Sequence, residues 1–380
     1  MEPLDPMGMS RRDVALRILT VVGFLIVFLA GIKLLGASFK MVGKDTAESL
    51  FRGLAHPLAG LSVGILATVL VQSSSVTTSV IVGLVGAGEI SVAHAVPVIM
   101  GANIGTSVTN TLVSLGHITR SVEFRRAFAG ATMHDFFNLL SVLVLLPIEI
   151  MTGFLQRMAE SMTGWLGGTA GVAYKSPIKS FIGSLTKPVI KLLEGVGLEG
   201  WVIALATLLV GLAFIVLALV FITKTMRKLL AGKLEEALNR ALGGHGLVAM
   251  FVGVLMTVAV QSSSITTSLL IPLIGAGILK LDTAFPITLG ANIGTTITAL
   301  LAALAADASA GLTIALVHLL FNCTGILIVY PIPKVRRIPI RLAEGLGTLA
   351  VRRRSLVLGY ILFVFIVLPL LGIMIFQNSG

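Results

Sequence analysis

Two kinds of side-chain cluster in this chain have the chemistry to hold an ion. Gln72-Ser73-Ser74-Ser75-Val76-Thr77-Thr78-Ser79 returns as Gln261-Ser262-Ser263-Ser264-Ile265-Thr266-Thr267-Ser268. Gly101-Ala102-Asn103-Ile104-Gly105-Thr106 returns as Gly290-Ala291-Asn292-Ile293-Gly294-Thr295, and both pairs are separated by 189 positions. Each lies in strongly apolar sequence, where hydroxyls and amides are costly unless they meet a partner or a ligand. On offer are hydroxyl donors, hydroxyl and amide oxygens, and backbone N–H groups at a helix start. Helix N-termini bind anions through those N–H groups and the local dipole. Hydroxyl and carbonyl oxygens also suit a hard cation. No cluster of Cys, His and carboxylates is present to hold a transition metal. The chemistry is that of an oxyanion together with an alkali cation. Ser and Thr also act as glue between membrane helices, but seven polar residues in a run of eight, present twice, exceed what glue requires.

The elements that must position these residues are membrane helices. The chain is 380 residues long, 56% hydrophobic and only 12% charged, against about 25% charged in a soluble domain. Its mean hydropathy is +1.02, and its 41 glycines suit close helix packing in lipid. This is the composition of an all-α polytopic membrane protein. The first apolar run lacks a convincing small-residue cleavage site and reads as a span, not a secretory signal. The single cysteine, Cys323, excludes an internal disulfide and reads as a small core residue. The formal charge of +11 would suit nucleic acid, but the basic residues flank the apolar runs, where they set orientation.

A straight span needs roughly 20 apolar residues. Runs that meet this are 18–40, 92–115, 127–150, 201–223, 283–305, 311–332 and 355–376. Segments 60–87 and 247–276 do not fit, being long for one span and short for two, with the serine motif near the middle. A re-entrant helical hairpin with the serines at its tip solves this, since irregular backbone at membrane depth is tolerated where it lines a cavity. One long tilted helix with a polar stripe is the alternative. The repeat then divides the chain into a first half, 1–150, an external connection, 151–200, a second half, 201–332, and a basic loop with a final span, 333–380. Three spans plus one hairpin per half make the second half inverted relative to the first. Counting Lys and Arg by alternating side gives 19 on the face of the N-terminus and 9 on the other, which puts the N-terminus in the cytoplasm and the C-terminus outside. Segment 174–200 is amphipathic, with Lys175, Lys179, Lys187 and Lys191.

The glycines around Asn103 and Asn292 favour unwinding. A break there makes discontinuous helices whose freed carbonyls meet a cation and whose N–H groups meet an anion. A glycine packing notch is the bland reading of the same residues. Thr106 and Thr109, like Thr295 and Thr298, are spaced to share one helical face. Past this motif the repeat offset drops to 184, pairing His134 and Asn138 with His318 and Asn322. Asp135 is an intramembrane acid and a functional candidate for that reason. It can ligate a cation, carry a proton, or simply pair with Arg125 or Arg126. The paired histidines carry less weight, because a buried His donating to a nearby carbonyl is ordinary.

The paired Gln-Ser-Ser-Ser tips, Gly101 to Asn110, and Phe124-Arg125-Arg126-Ala127-Phe128-Ala129-Gly130-Ala131-Thr132 followed by His134-Asp135 resemble the type II sodium–phosphate cotransporters, solute carrier family 34. The resemblance runs from about residue 20 to 335. It implies a transporter, not an enzyme, that couples inward sodium movement to uptake of inorganic phosphate and needs no cofactor beyond sodium. It also implies that Gln72, Ser73, Ser74 and Ser75, with Ser262, Ser263 and Ser264, contact phosphate, and that Gln261, Ser262, Thr295 and Thr298 form a sodium site. Asn103 and Asn292 join the phosphate candidates. Thr106, Thr109, Asp135 and Asn138 join the sodium candidates. Asp135, with Ala129 and Ala131, matches the electrogenic branch and implies three sodium ions per divalent phosphate. The connection of about 50 residues without cysteine departs from the vertebrate pattern and suits a prokaryotic inner-membrane protein. The stretch around His117 and Arg120 matches poorly. Sulfate or a dicarboxylate in place of phosphate, and a phosphate sensor without transport, stay open on the motifs alone. A serine hydrolase is disfavoured, because no Gly-x-Ser-x-Gly elbow is present. Oligomeric state is not fixed by the sequence, a homodimer being compatible with it.

Overall fold

The computed structural model describes residues 10–42, 52–54, 56–168, 177–196, 200–242, 245–306 and 309–376. Lys175 of the amphipathic segment lies outside them. The described residues form helices joined by short turns, and seven helices among them are long and apolar enough to cross a membrane. In chain order, α1 is Arg11–Val42, α2 Pro57–Val71, α3 Ser74–Ala87, α4 Val92–Thr106, α5 Val108–Ser114 and α6 Ser121–Thr152. Then come α7, Phe154–Gly168, and α8, Pro177–Gly195. The second half holds α9, Gly200–Leu242, α10, Gly246–Val260, α11, Ser263–Ser268, α12, Leu270–Gly275, α13, Leu281–Ala303, and α14, Ser309–Val329. After them come α15, Pro333–Arg352, α16, Ser355–Leu362, and α17, Leu368–Phe376, the last two joined by a π turn. All seven expected spans are present as helices, several of them longer than their apolar cores. Helix α9, 43 residues, extends to about 65 Å, far more than the roughly 30 Å hydrocarbon layer.

Both serine segments break where the polar run begins. In the first, Pro57 opens α2 at a position where no N–H is needed, behind a His56 cap. Gln72 ends α2 in left-handed backbone, φ 56 and ψ 27, and Ser73 restarts the chain as the extended N-cap of α3. In the second, Gln261 and Ser262 do the same at φ 58 and φ −155. The second arm of that hairpin also kinks at Leu269, between α11 and α12.

The expected unwinding at the Gly-Ala-Asn-Ile-Gly-Thr motifs is not what forms. Helix α13 runs unbroken through Gly290 to Thr295, and α4 holds through Thr106. The first-half interruption comes one residue later, at Ser107, between α4 and α5. The reason is packing. A Cβ at Gly101 would collide with the Leu61 carbonyl, and one at Gly290 with the Met250 carbonyl. These glycines let α2 lie against α4, and α10 against α13, at backbone contact. They are packing notches, and the helices they belong to have no cause to open.

The glycine contacts also fix directions. Gly60 lies by His94 and Gly105 by Ile65, so α2 and α4 run parallel and α3 returns between their ends. Gly253 lies by Ile287 and Gly294 by Thr257, so α10 and α13 do the same. Helices α1 and α9 cross antiparallel: Phe24 stacks on Phe221 with centroids 4.8 Å apart, Gly31 meets Gly211, and Thr207 reaches Met41. The second arm of each hairpin packs on the opposite half, α3 against α13 and α14, α11 and α12 against α5 and α6. Phe124, Phe128, Phe137, Phe285 and Phe321 fill the core beside these crossings, fully buried. The inter-repeat connection is helical where described. Helix α7 packs on α14 through Leu155, Ala159 and a Thr163–Thr313 hydrogen bond, and α8 buries Ile182 and Thr186.

Candidate functional site

Each hairpin tip is a small, fully specified arrangement, and the two copies agree almost atom for atom. Gln72 Nε2 donates to Val69 O at 2.6 Å, and Gln261 Nε2 to Val258 O at 2.6 Å. Their Oε1 atoms accept from Thr109 Oγ1 at 3.2 Å and Thr298 Oγ1 at 3.0 Å. Ser73 Oγ and Ser262 Oγ cap their helices by accepting from Val76 N and Ile265 N, both at 3.3 Å. Left-handed backbone at a helix end is ordinarily glycine. A glutamine there, twice and with the same bonds, marks a side chain kept for its chemistry.

The local chemistry has two faces. Ser73 and Ser262 each occupy the N–H of the third helical residue, so the N–H groups of Ser74 and Ser75, and of Ser263 and Ser264, point out of the helix start with no intrahelical acceptor. Those are anion donors. The threonines are the reverse. Thr106 Oγ1 donates to Ala102 O at 2.9 Å and Thr295 Oγ1 to Ala291 O at 3.1 Å, while Thr109 and Thr298 donate to glutamine oxygens. With their protons so used, these oxygens present only lone pairs, as a cation ligand must.

Two adjacent residues of α5 bring the hairpins together. Thr109 holds Gln72 of the first. Asn110 Oδ1 accepts from Thr267 Oγ1 and Ser268 Oγ of the second, both at 3.0 Å. Asn110 was not among the expected ligands. The signal that would have found it is its departure from the repeat, since its counterpart is Ala299.

A buried amide cluster joins the halves. His134 Nε2 meets Asn292 Oδ1 at 2.7 Å, Asn292 Nδ2 donates to Asn138 Oδ1 at 3.0 Å, and Asn138 Nδ2 donates to Asn103 O at 2.7 Å. Asn103 turns its own Nδ2 to Ile99 O. Asn292 thus has both ends of its amide engaged with protein, and Asn103 its Nδ2. His134, on the first half, makes the link to Asn292 of the second.

Asp135 does not pair with arginine. Its Oδ2 accepts from Tyr360 Oη at 2.6 Å, from helix α16 outside the duplicated halves. Arg125 and Arg126 instead line a cavity of about 540 Å³ with Lys280, Asp282 and Glu344, beside the Gly277 turn. No sequence pattern pointed to Tyr360, because α16 has no counterpart in the repeat.

The Na+/Pi-cotransporter family matches the chain in two stretches, residues 27–164 and 214–350. Over 93% of its length the chain is 36% identical to sodium-dependent phosphate transport protein 2A of Ovis aries and 37% identical to protein 2B of Homo sapiens. It spans 67% and 64% of those two relatives, about two thirds of each. No solved structure matches the chain. With one serine-bearing tip in each matched stretch, this multi-pass membrane protein belongs to the Na+/Pi-cotransporter family.

Proposed function

We propose that the chain is a sodium-coupled importer of inorganic phosphate, taken as HPO4 2−, working by alternating access between two inverted repeats. Sodium-dependent phosphate cotransport follows from the family to which the chain belongs. The observation that carries the mechanism is the duplicated tip, which offers unpaired helix-start N–H groups to an oxyanion beside acceptor-only oxygens for a cation. The antiparallel crossing of α1 and α9, equivalent helices of the two halves, supports inverted topology. Re-entrant hairpins are supported by the mid-segment turns at Gln72 and Gln261.

In this reading Gln72 and Ser73 to Ser75, with Ser262 to Ser264, bind phosphate. Gln261, Ser262, Thr295 and Thr298 bind one sodium, with Thr106, Thr109, Asp135 and Asn138 as further ligands. Asn292 ties the two halves together through His134 and Asn138, and Asn138 holds the Asn103 carbonyl. Sodium binds first and offsets the electronegative oxygens, which admits the dianion. Linkage then requires sodium and phosphate to raise each other's affinity. The arginine and lysine distribution supports a cytoplasmic N-terminus, and the inter-repeat connection of about 50 residues without cysteine supports a prokaryotic inner membrane.

The test is radiolabelled phosphate uptake into proteoliposomes under an inward sodium gradient, with potassium as control. Sodium-dependent uptake that sulfate does not compete away is the expected result. Folded, inserted protein that takes up no phosphate under any gradient would overturn the assignment.

A further inference from the structure

The repeat gives every member of the buried amide cluster a counterpart, and one of the two sets is open. The counterparts of His134, Asn292 and Asn138 are His318, Asn103 and Asn322. Part of the frame is duplicated: Asn322 Nδ2 reaches Asn292 O at 3.4 Å, as Asn138 Nδ2 reaches Asn103 O at 2.7 Å. The link from ring to amide is not. Both ring nitrogens of His318 and Oδ1 of Asn322 are buried without a hydrogen bond, while Asn103 spends its Nδ2 within its own helix. His318 is 0% exposed. A ring with two unmet nitrogens, buried where water does not reach, needs a partner in some state the protein occupies. Helix α14, carrying His318, already packs on α4, carrying Asn103. The tips are unequal as well. Val71, before Gln72, is 45% exposed, whereas its counterpart Val260 is 0% exposed.

We propose that His318 is a positioning residue of the transport cycle, which donates to Asn103 Oδ1 when access changes sides while the bond between His134 and Asn292 opens. The inference rests on the alternating-access reading, in which exchanging the conformations of two inverted repeats produces the opposite state. In the present state the first half reaches into the second, and His134 Nε2 must be the donor because Asn292 Nδ2 is committed to Asn138. In the other state the second half reaches into the first. Asn103 Nδ2 leaves Ile99 for Asn322 Oδ1, which satisfies the oxygen now unmet. One set replaces the other, each leaving the Nδ1 of its own histidine unpaired as that of His134 is now, so the exchange conserves its hydrogen bonds, and the two histidines bias the equilibrium in opposite directions.

The experiment uses single-cysteine reporters, Val71→Cys or Val260→Cys, on a Cys323→Ala background, labelled with a small maleimide in detergent. His318→Leu should hold the present state, with the position 71 reporter reactive and the position 260 reporter protected whether or not sodium and phosphate are added. Its phosphate uptake should fall by about tenfold, as when the second state keeps roughly a tenth of its population. His134→Leu should move the labelling the other way, and His318→Gln, which keeps a donor, should restore part of the change. Should the leucine variants not fold, His318→Gln and His134→Gln are compared with each other. Labelling shifts in the same direction for the two histidines, or none, would overturn the proposal. The labelling needs no substrate. Opposite shifts in a protein that takes up no phosphate would remove the phosphate reading and leave this one standing, while sodium-driven uptake with unmoved labelling would do the reverse.

Discussion

Gln72 and Gln261 occupy backbone that glycine would adopt without strain. Left-handed geometry costs an ordinary residue about 1–2 kcal/mol. Each glutamine recovers a comparable amount through two hydrogen bonds, to Val69 O and Thr109 or to Val258 O and Thr298, at about 0.5–1.5 kcal/mol each. The terms nearly cancel, so the glutamine is neutral for folding and specific for what its amide oxygen does. Gln261→Gly should leave thermal stability in detergent within about 1 kcal/mol of the parent while the sodium concentration for half-maximal uptake rises about tenfold, a loss of about 1.4 kcal/mol in binding. A fall in stability with unchanged sodium dependence would make the residue structural. The serines are held to their task differently. Ser73 and Ser262 are N-caps that accept from the helix start, so their O–H groups stay free to donate to an incoming oxyanion beside the N–H groups that follow them.

At the scale of elements, the hairpins depend on glycines as much as on serines. Helix α2 touches α4, and α10 touches α13, through Gly64, Gly101, Gly253 and Gly290, each against a backbone carbonyl of its partner. Backbone cannot step aside as a side chain can. Gly101→Ala should destabilise the protein by about 1–3 kcal/mol, read as a lower melting midpoint in detergent. Gly116→Ala, which meets nothing within 4 Å, should stay within about 0.5 kcal/mol. Equal effects would mean that the close approach is not limiting. The hairpins were legible in sequence because a polar octet in the middle of some thirty apolar residues leaves few alternatives, and because Ser after Gln is a helix restart in either repeat. The fate of Gly-Ala-Asn-Ile-Gly-Thr was not legible. Glycine is equally suited to unwinding and to a notch, and only the partner helix, far away in sequence, decides. The break at Ser107 and the role of Asn110 escaped for a related reason: both depend on hairpin 261–275 arriving from the other half. Tyr360 escaped because the duplication that guided the reading stops before it.

The whole molecule is two interleaved halves, each hairpin resting its second arm on the helices of the other. Movement of one hairpin is therefore felt across the repeat boundary, as coupled transport requires. Charge movement is likewise a property of the whole. If Asp135 adds a sodium ligand beyond those duplicated in the repeats, the cycle carries one net positive charge inward with each divalent phosphate. An imposed potential of about 100 mV, inside negative, then adds about 2.3 kcal/mol of driving force, roughly a fifty-fold gain in steady accumulation. Asp135→Gly should abolish that voltage dependence and the associated current while sodium-dependent uptake persists. Current that survives the substitution would place the extra charge elsewhere. The bond that holds this carboxylate has a further consequence for how the protein is made. Tyr360 follows Asp135 by 225 residues, so at roughly 5–20 residues per second of synthesis the acid waits about 10–45 s for its partner. Until α16 arrives, the nascent chain carries an uncapped carboxylate among apolar spans, and cellular proteolysis can discriminate unfinished copies from finished ones at that point.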